Sequence, residues 1–359
     1  MRFGVYVHLP WCRTRCHYCS FNVQVRRDPP QRAYTDALLR QWETLAPLFP
    51  GPPSTLYLGG GTPSLHPPDQ IARLVQGIGA PRVEMEANPE DLHLAPAWAQ
   101  AGVTRLSVGV QSFDSRQVRF LNRAHDAESL APRLAPLGDL FRSWSADLIF
   151  GMPGQTLGEL ERDLERLLAT DPPHVSLYGL TVHPGTTLER AVTEGRFILD
   201  DELQADMLEH IVERLRQAGR PRYEVSNFAR EGHRSPHNES TWRGDFYAGL
   251  GAGAHGWLPD GRRSVGVRDP DRFIDTGEMQ VEWPDRRQAA VDLIITMMRH
   301  VDGLPLSRLA DLGFDVNRKA LEAHSGRGRL RMDDSIALSG RGWMHADALL
   351  AEVVGALVG

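Results

Sequence analysis

Short apolar, strand-like runs recur along the chain at residues 3–8, 55–58, 83–87, 105–110, 146–150 and 175–180. Between them the apolar residues fall at helical spacing, over 33–48, 68–78, 95–101, 127–140 and 157–169. Strands that alternate with helices predict βαβ units, hence a parallel sheet with right-handed crossovers. Six units are too few for a closed eight-fold barrel but can curve into an open, partial one; a doubly wound sheet is the alternative that the pattern leaves open. In both architectures ligand chemistry gathers at the C-terminal ends of the strands.

A further helix is predicted over 202–218 and a short segment over 222–226. Regularity then fades: 227–283 is rich in glycine, proline, histidine and tryptophan and reads as an extended connection packed on the larger domain. Helical spacing returns over 286–301 (Ala289, Leu293, Ile294, Met297, Met298), followed by a hairpin-like segment at 330–338 and a helix over 344–354. The expected organisation is a partial (β/α)6 barrel over 1–226, the connection over 227–283, and a small winged-helix-like α+β domain over 284–359.

At 359 residues and 41% hydrophobic content the chain can bury a sizeable core. Its net charge of −6 gives no field that attracts nucleic acid or anionic lipid, and the last domain lacks a concentrated basic recognition helix. That domain is therefore expected to serve structure or partner docking. The first residues lack the apolar stretch of a signal peptide, and no apolar run approaches the roughly 18 residues of a membrane helix. A cytoplasmic protein is expected, with peripheral contact the one form of membrane association left open.

All three cysteines fall in one Cys-x3-Cys-x2-Cys stretch, Cys12, Cys16 and Cys19. Three thiolates can hold three irons of a cubane cluster and leave the fourth iron open for chemistry. A zinc site completed by His8 or His17 is the alternative; the odd count and the absence of a distant partner argue against a stapling disulfide. Arg13, Arg15, Arg26 and Arg27 nearby read as a solvated rim. The cysteines follow the first strand, Gly59-Gly60-Gly61-Thr62-Pro63 the second, and Gln111-Ser112-Phe113 the fourth, while Glu86 lies in the third and Asp147 in the fifth. Separate connections thus converge on one face. Glu86, Gln111 and Arg123 are singly ordinary surface types, and the glycine triplet matches neither a phosphate-binding loop nor a dinucleotide fingerprint. Asp147, inside an apolar strand, is the most telling, because an unpaired buried carboxylate is costly.

Together these residues resemble the radical S-adenosylmethionine (SAM) superfamily. The resemblance implies a [4Fe–4S] cluster on Cys12, Cys16 and Cys19, with SAM chelating the open iron and cleaved reductively to a 5′-deoxyadenosyl radical. Within it, Tyr6-Val7-His8-Leu9-Pro10, Leu58-Gly59-Gly60-Gly61-Thr62-Pro63-Ser64, Gly109-Val110-Gln111-Ser112-Phe113, Leu121-Asn122-Arg123-Ala124-His125 and 147–156 resemble the oxygen-independent coproporphyrinogen III oxidase family. By that pattern Tyr6, Tyr18, Gly60, Gly61, Thr62, Glu86, Gln111, Arg123 and Asp147 fall on SAM-contacting positions. The glycine triplet would take the methionine amino group, Asp147 the ribose, and Arg123 and Gln111 other polar groups.

Two features depart from the oxidases. Those carry a further cysteine two positions past the triad, where this chain has Phe21, and an N-terminal extension that is not seen before the first strand here. Both departures resemble the related HemW-type haem chaperones, as does Tyr223-Glu224-Val225-Ser226-Asn227-Phe228-Ala229 followed by His237-Asn238-Glu239-Ser240-Thr241-Trp242. The chaperone motif is His-Asn-x-x-Tyr-Trp, with Thr241 here replacing the tyrosine, and the resemblance implies haem binding by His237, an imidazole suited to axial ligation. A histidine hydrogen-bonded beneath a loop is the other reading, and His255 is a weaker candidate. The resemblance therefore implies a haem chaperone that delivers haem to apoproteins such as respiratory enzymes and draws on an electron donor. Oxidative decarboxylation of coproporphyrinogen is the alternative function.

Overall fold

The computed structural model describes residues 2–359. Each expected strand of the first unit forms: β1 (Gly4–Leu9), β2 (Thr55–Gly60), β3 (Val83–Ala87), β4 (Arg105–Gln111), β5 (Ser143–Phe150) and β6 (His174–Gly179). They pair in parallel in chain order, as an open partial barrel requires. The crossovers carry α1 (Gln31–Leu45), α2 (Pro68–Ile78), α3 (Ala95–Gln100), α4 (Ser115–Phe120) and α5 (Leu157–Ala169), and α6 (Asp201–Gln217) follows β6. Local signals set their ends. α2 has Pro68 in its first turn and Gly79 at φ 76° after its last, and α5 opens with a reciprocal Thr156/Glu159 capping box. The helix expected over 127–140 is broken into three short turns, because Pro132 and Pro136 remove amide donors and clash with preceding carbonyls.

The segment 227–283 differs from the expected extended connection. It supplies β7 (Asn227–Ala229), antiparallel to β6, and β8 (Tyr247–Leu250), a further parallel strand beside β1. β9 (His255–Trp257), β10 (Arg263–Gly266) and β11 (Met279–Glu282) extend that edge antiparallel, completing an 11-stranded sheet. These strands are short, and β8, β9 and β10 pass through glycines, which weakens their pattern. The glycines are needed: a Cβ on Gly249 would lie 1.8 Å from the His255 carbonyl oxygen. Between β7 and β8, α7 (Pro236–Trp242) carries His237.

The C-terminal unit runs α8 (Arg286–Met297), β12 (Leu304–Pro305), α9 (Leu306–Asp311), α10 (Arg318–Gly326), β13 (Leu330–Met332), β14 (Ser335–Leu338) and α11 (Ala346–Gly355). Helix, strand, two helices and a hairpin, with β14 between β12 and β13, is a winged-helix arrangement. Leu293, Leu309, Leu321, Ile336 and Val353 build its own apolar core. The Arg222 guanidinium, stacked 5.4 Å from Phe228 and 5.3 Å from Trp343, ties this core to the barrel. Among the described residues no helix is long and apolar enough to cross a membrane.

Candidate cofactor cleft

A cleft of about 410 Å³ opens at the C-terminal ends of the parallel strands. Cys12, Cys16, Cys19, Tyr18, Gly60, Gly61, Thr62, Glu86, Gln111, Arg123 and Asp147 all line it, so residues from separate connections do meet. Of the expected site residues only Tyr6 and His237 lie outside its lining.

The cysteine loop is held by backbone. Trp11–Cys12 pairs with Gln24–Val25, the Gly61 amide donates to the Leu9 carbonyl (2.8 Å) and the Thr62 amide to that of Trp11 (2.9 Å). The glycines permit this. A Cβ on Gly61 would lie 2.8 Å from the Leu9 and Trp11 carbonyl oxygens, and one on Gly60, at φ 114°, 2.5 Å from His8 Nδ1. The triplet therefore serves close approach of protein to protein, whatever it offers a ligand. His8 Nε2 donates to the Asn22 carbonyl (2.9 Å), which leaves Nδ1 to accept from the Tyr6 hydroxyl (3.0 Å). With both ring nitrogens committed, His8 cannot complete a zinc site. His17 has its Nδ1 on the Phe120 carbonyl (2.8 Å).

Burial pushes the Cys12 thiol up to about 11, and it raises Cys19 as well. Thr62 Oγ1 stands 3.5 Å from Cys12 Sγ, and Arg123 Nη1 3.5 Å from Cys16 Sγ. Arg123 is fixed by Asn88 Oδ1 (2.6 Å) and the Gly109 carbonyl (3.1 Å). Gln111 reaches the same corner through a register shift in β4 and a φ of 67°.

On the opposite wall the Glu86 carboxylate accepts from the Tyr57 hydroxyl (2.9 Å) and the Gly60 amide (3.1 Å). Burial, with Asp147 adding repulsion, holds it up at about 7. Asp147 accepts from Ser107 (2.7 Å) and Ser145 (2.8 Å), and burial raises it too. The unexpected contributors are Asn88, Ser107, Ser145 and Tyr57. For the two serines the signal was the period of two: Ser107, Gly109 and Gln111 share one face of β4, and Ser145 and Asp147 one face of β5.

His237 is at the other end of the barrel. Its Nδ1 meets Thr55 Oγ1 (3.0 Å) and its amide donates to Glu84 Oε1 (2.9 Å), both near the starts of their strands. It is 6% exposed, and burial lowers its pKa to about 4. The strand length between this floor and the cysteines is about 16 Å at the rise of a parallel strand. Thr241, in place of the motif tyrosine, donates to the His237 carbonyl (3.1 Å).

Known proteins are similar to this chain. The radical SAM superfamily profile matches residues 6–167. The haem chaperone HemW of Mycobacterium tuberculosis is 34% identical over 98% of this chain and 95% of its own length, and HemW of Bacillus subtilis 35% identical over 76% and 75%. The radical SAM coproporphyrinogen III oxidase of Escherichia coli superposes with a TM-score of 0.80 over 99% of this chain and 89% of its own, at 22% identity, a likeness of fold. The fold and cleft are those of a radical SAM protein. Within that superfamily, the chain belongs to the HemW haem chaperone family.

The superfamily implies a [4Fe–4S] cluster and SAM. The donor set fits the cluster: three thiols on one loop, with thiolate-facing donors from Thr62 and Arg123. Among the described residues no three His, Cys, Asp or Glu side chains close round one point as ligands of a single ion would. A cubane, which takes each thiolate on a separate iron, does not ask for that.

Proposed function

We propose that this chain is a cytoplasmic haem carrier that holds a [4Fe–4S] cluster and SAM and passes haem to apoproteins such as respiratory enzymes. Cys12, Cys16 and Cys19 would hold the cluster, and Tyr18, Gly60, Gly61, Thr62, Glu86, Gln111, Arg123 and Asp147 the SAM, with Tyr6 acting through His8. When bound, the cluster supplies an electron to SAM, which calls for a separate electron donor as a partner. The chain's own contribution is positional. Arg123 and Thr62 face sulfur, Asp147 presents a carboxylate braced by two serines, and Gln111 is aimed by its bulge.

The observation that carries the carrier reading is Phe21. It is 63% exposed on the lining of the cleft, at the position where the oxidases have their further cysteine. With Tyr178, also exposed on the same lining, this ring offers aromatic surface beside the cofactor residues, which favours holding a flat apolar cargo. His237 enters as a ligand that becomes available when α7 lifts from the barrel floor and gives up its bonds to Thr55 and Glu84.

The test is anaerobic reconstitution of the full chain, followed by iron and sulfide analysis, haem titration and transfer of haem to an apo-haemoprotein. Changing any one of Cys12, Cys16 or Cys19 to alanine removes the cluster's charge-transfer absorption. Protoporphyrinogen formed from coproporphyrinogen at an enzymatic rate would overturn the carrier reading.

A further inference from the structure

Thr241 leaves one part of the His237 motif without its ring. On α7 residue 241 comes four positions after His237, so a tyrosine there would lie on the same helix face as the imidazole. Thr241 instead spends its hydroxyl on the His237 carbonyl. The imidazole nevertheless has an aromatic partner, and it comes from the barrel. Tyr57, in β2, stacks on it with centroids 5.1 Å apart and planes 30° from parallel. Glycines keep the space for both rings. A Cβ on Gly4 would lie 2.9 Å from His237 Nδ1, and one on Gly59 2.8 Å from Tyr57 Cε1. Tyr57 is also held independently of α7. Its hydroxyl is on Glu86 (2.9 Å), and its ring is stacked 6.1 Å from that of Tyr6, its neighbour on β1.

We infer that Tyr57 is a haem-contacting residue, which supplies from β2 the ring that the motif carries at 241 and packs on the macrocycle that His237 ligates. This rests on the carrier reading, with His237 as the ligand, and adds the residue that meets the macrocycle on the His237 side. Lifting α7 breaks the bonds to Thr55 and Glu84 and parts the two stacked rings. Tyr57 stays behind, because its own contacts run to Glu86 and Tyr6. The face that covered the imidazole is then free for a flat aromatic group. A ring already fixed on a strand loses little conformational freedom when it takes up such a group. With no haem present the same face covers the histidine, so one ring serves both states of the site.

The experiment is a haemin titration of the cluster-reconstituted full chain, read by its Soret and visible bands, with each variant's fold checked by circular dichroism. The wild type gives an imidazole-ligated spectrum, and His237→Ala loses it. Tyr57→Ile binds haemin about tenfold more weakly. Tyr57→Phe, which keeps the ring, binds more tightly than Tyr57→Ile. Adding Thr241→Tyr to Tyr57→Ile puts a ring back beside His237 and recovers most of the lost affinity. A purely structural role for Tyr57 would gain nothing from a ring at 241. Tyr57→Leu takes the place of Tyr57→Ile if that variant does not fold. Wild-type affinity in the variant without a ring at 57, or a loss that Thr241→Tyr does not repair, would overturn the inference and leave the carrier reading standing. A wild-type chain that binds no haemin would overturn both.

Discussion

Tyr57 lies on His237, ring centroids 5.1 Å apart and planes 30° from parallel, while its hydroxyl donates to Glu86 at 2.9 Å. One side chain thus spans from the barrel floor to the cofactor cleft. A second connection runs beside it with every hydroxyl used once as donor. The Ser235 amide donates to the Tyr223 hydroxyl (3.3 Å), which donates to His174 Nε2 (2.8 Å). His174 Nδ1 donates to Ser145 (2.8 Å), which donates to Asp147 (2.8 Å). Glu86 and Asp147 are therefore both braced by groups that reach α7.

The Glu86 carboxyl, held at about 7 against an ordinary value of 4.5, makes stability depend on pH. The folded protein keeps this proton where the unfolded chain has released it, so the contribution is full below the unfolded value and is lost as pH rises towards 7. In the metal-free protein, wild type should lose urea resistance relative to Glu86→Gln between about pH 5 and about pH 7.5. Urea midpoints of the two at both values check this; parallel changes would count against it.

Glu84 is the second test. It pairs with Arg105 at 3.1 Å, both nearly fully buried, and also accepts from Ser235 (2.7 Å) and the His237 amide (2.9 Å). Glu84→Gln leaves the guanidinium without its charge partner, and breaking such a buried pair costs about 3–5 kcal/mol. A clear fall in the denaturation midpoint is expected. Because Glu84 lies at the floor, SAM affinity of the protein that remains folded should change little.

The parallel strands and most helices were legible because their apolar runs and helical spacing are long enough to register. The edge strands over 227–283 were not, since strands of three or four residues, several holding a glycine, carry little period. The candidate site was legible in part for a similar reason: Asp147 stands out as a charge in an apolar strand, whereas Glu86, ordinary in itself, is marked only by the family pattern. Tyr57 and Ser145 do not stand out, because a tyrosine or serine in a strand is unremarkable until its partner is known. The position of His237 was the hardest to read. A motif records which residues go together, and only the register of β2 and β3 puts this one beneath the barrel.

Gly60→Ala should strike the cysteine loop. The residue sits at φ 114°, and its new Cβ would lie 2.5 Å from His8 Nδ1, a ring fixed by Tyr6 and Asn22. A left-handed conformation in a residue other than glycine costs about 1–2 kcal/mol before the clash is counted. Iron and sulfide content after reconstitution should fall well below wild type, because the neighbouring Gly61 and Thr62 amides anchor the loop to Leu9 and Trp11. Full cluster loading would show that the loop does not depend on this packing.

Gly109→Ala separates SAM from the cluster. A Cβ there would lie 2.8 Å from Gln111 Nε2 and 3.1 Å from Arg123 Nη2, so both side chains must shift away from the corner they share with Asn88. The cysteine loop makes none of its backbone bonds through β4, and its iron content should be kept. SAM affinity, measured by calorimetry on reconstituted protein, should fall by roughly tenfold, equal to about 1.4 kcal/mol of lost contacts. Unchanged affinity would remove Gln111 and Arg123 from the SAM site. Loss of iron along with affinity would instead place the Arg123–Cys16 contact among the supports of the cluster.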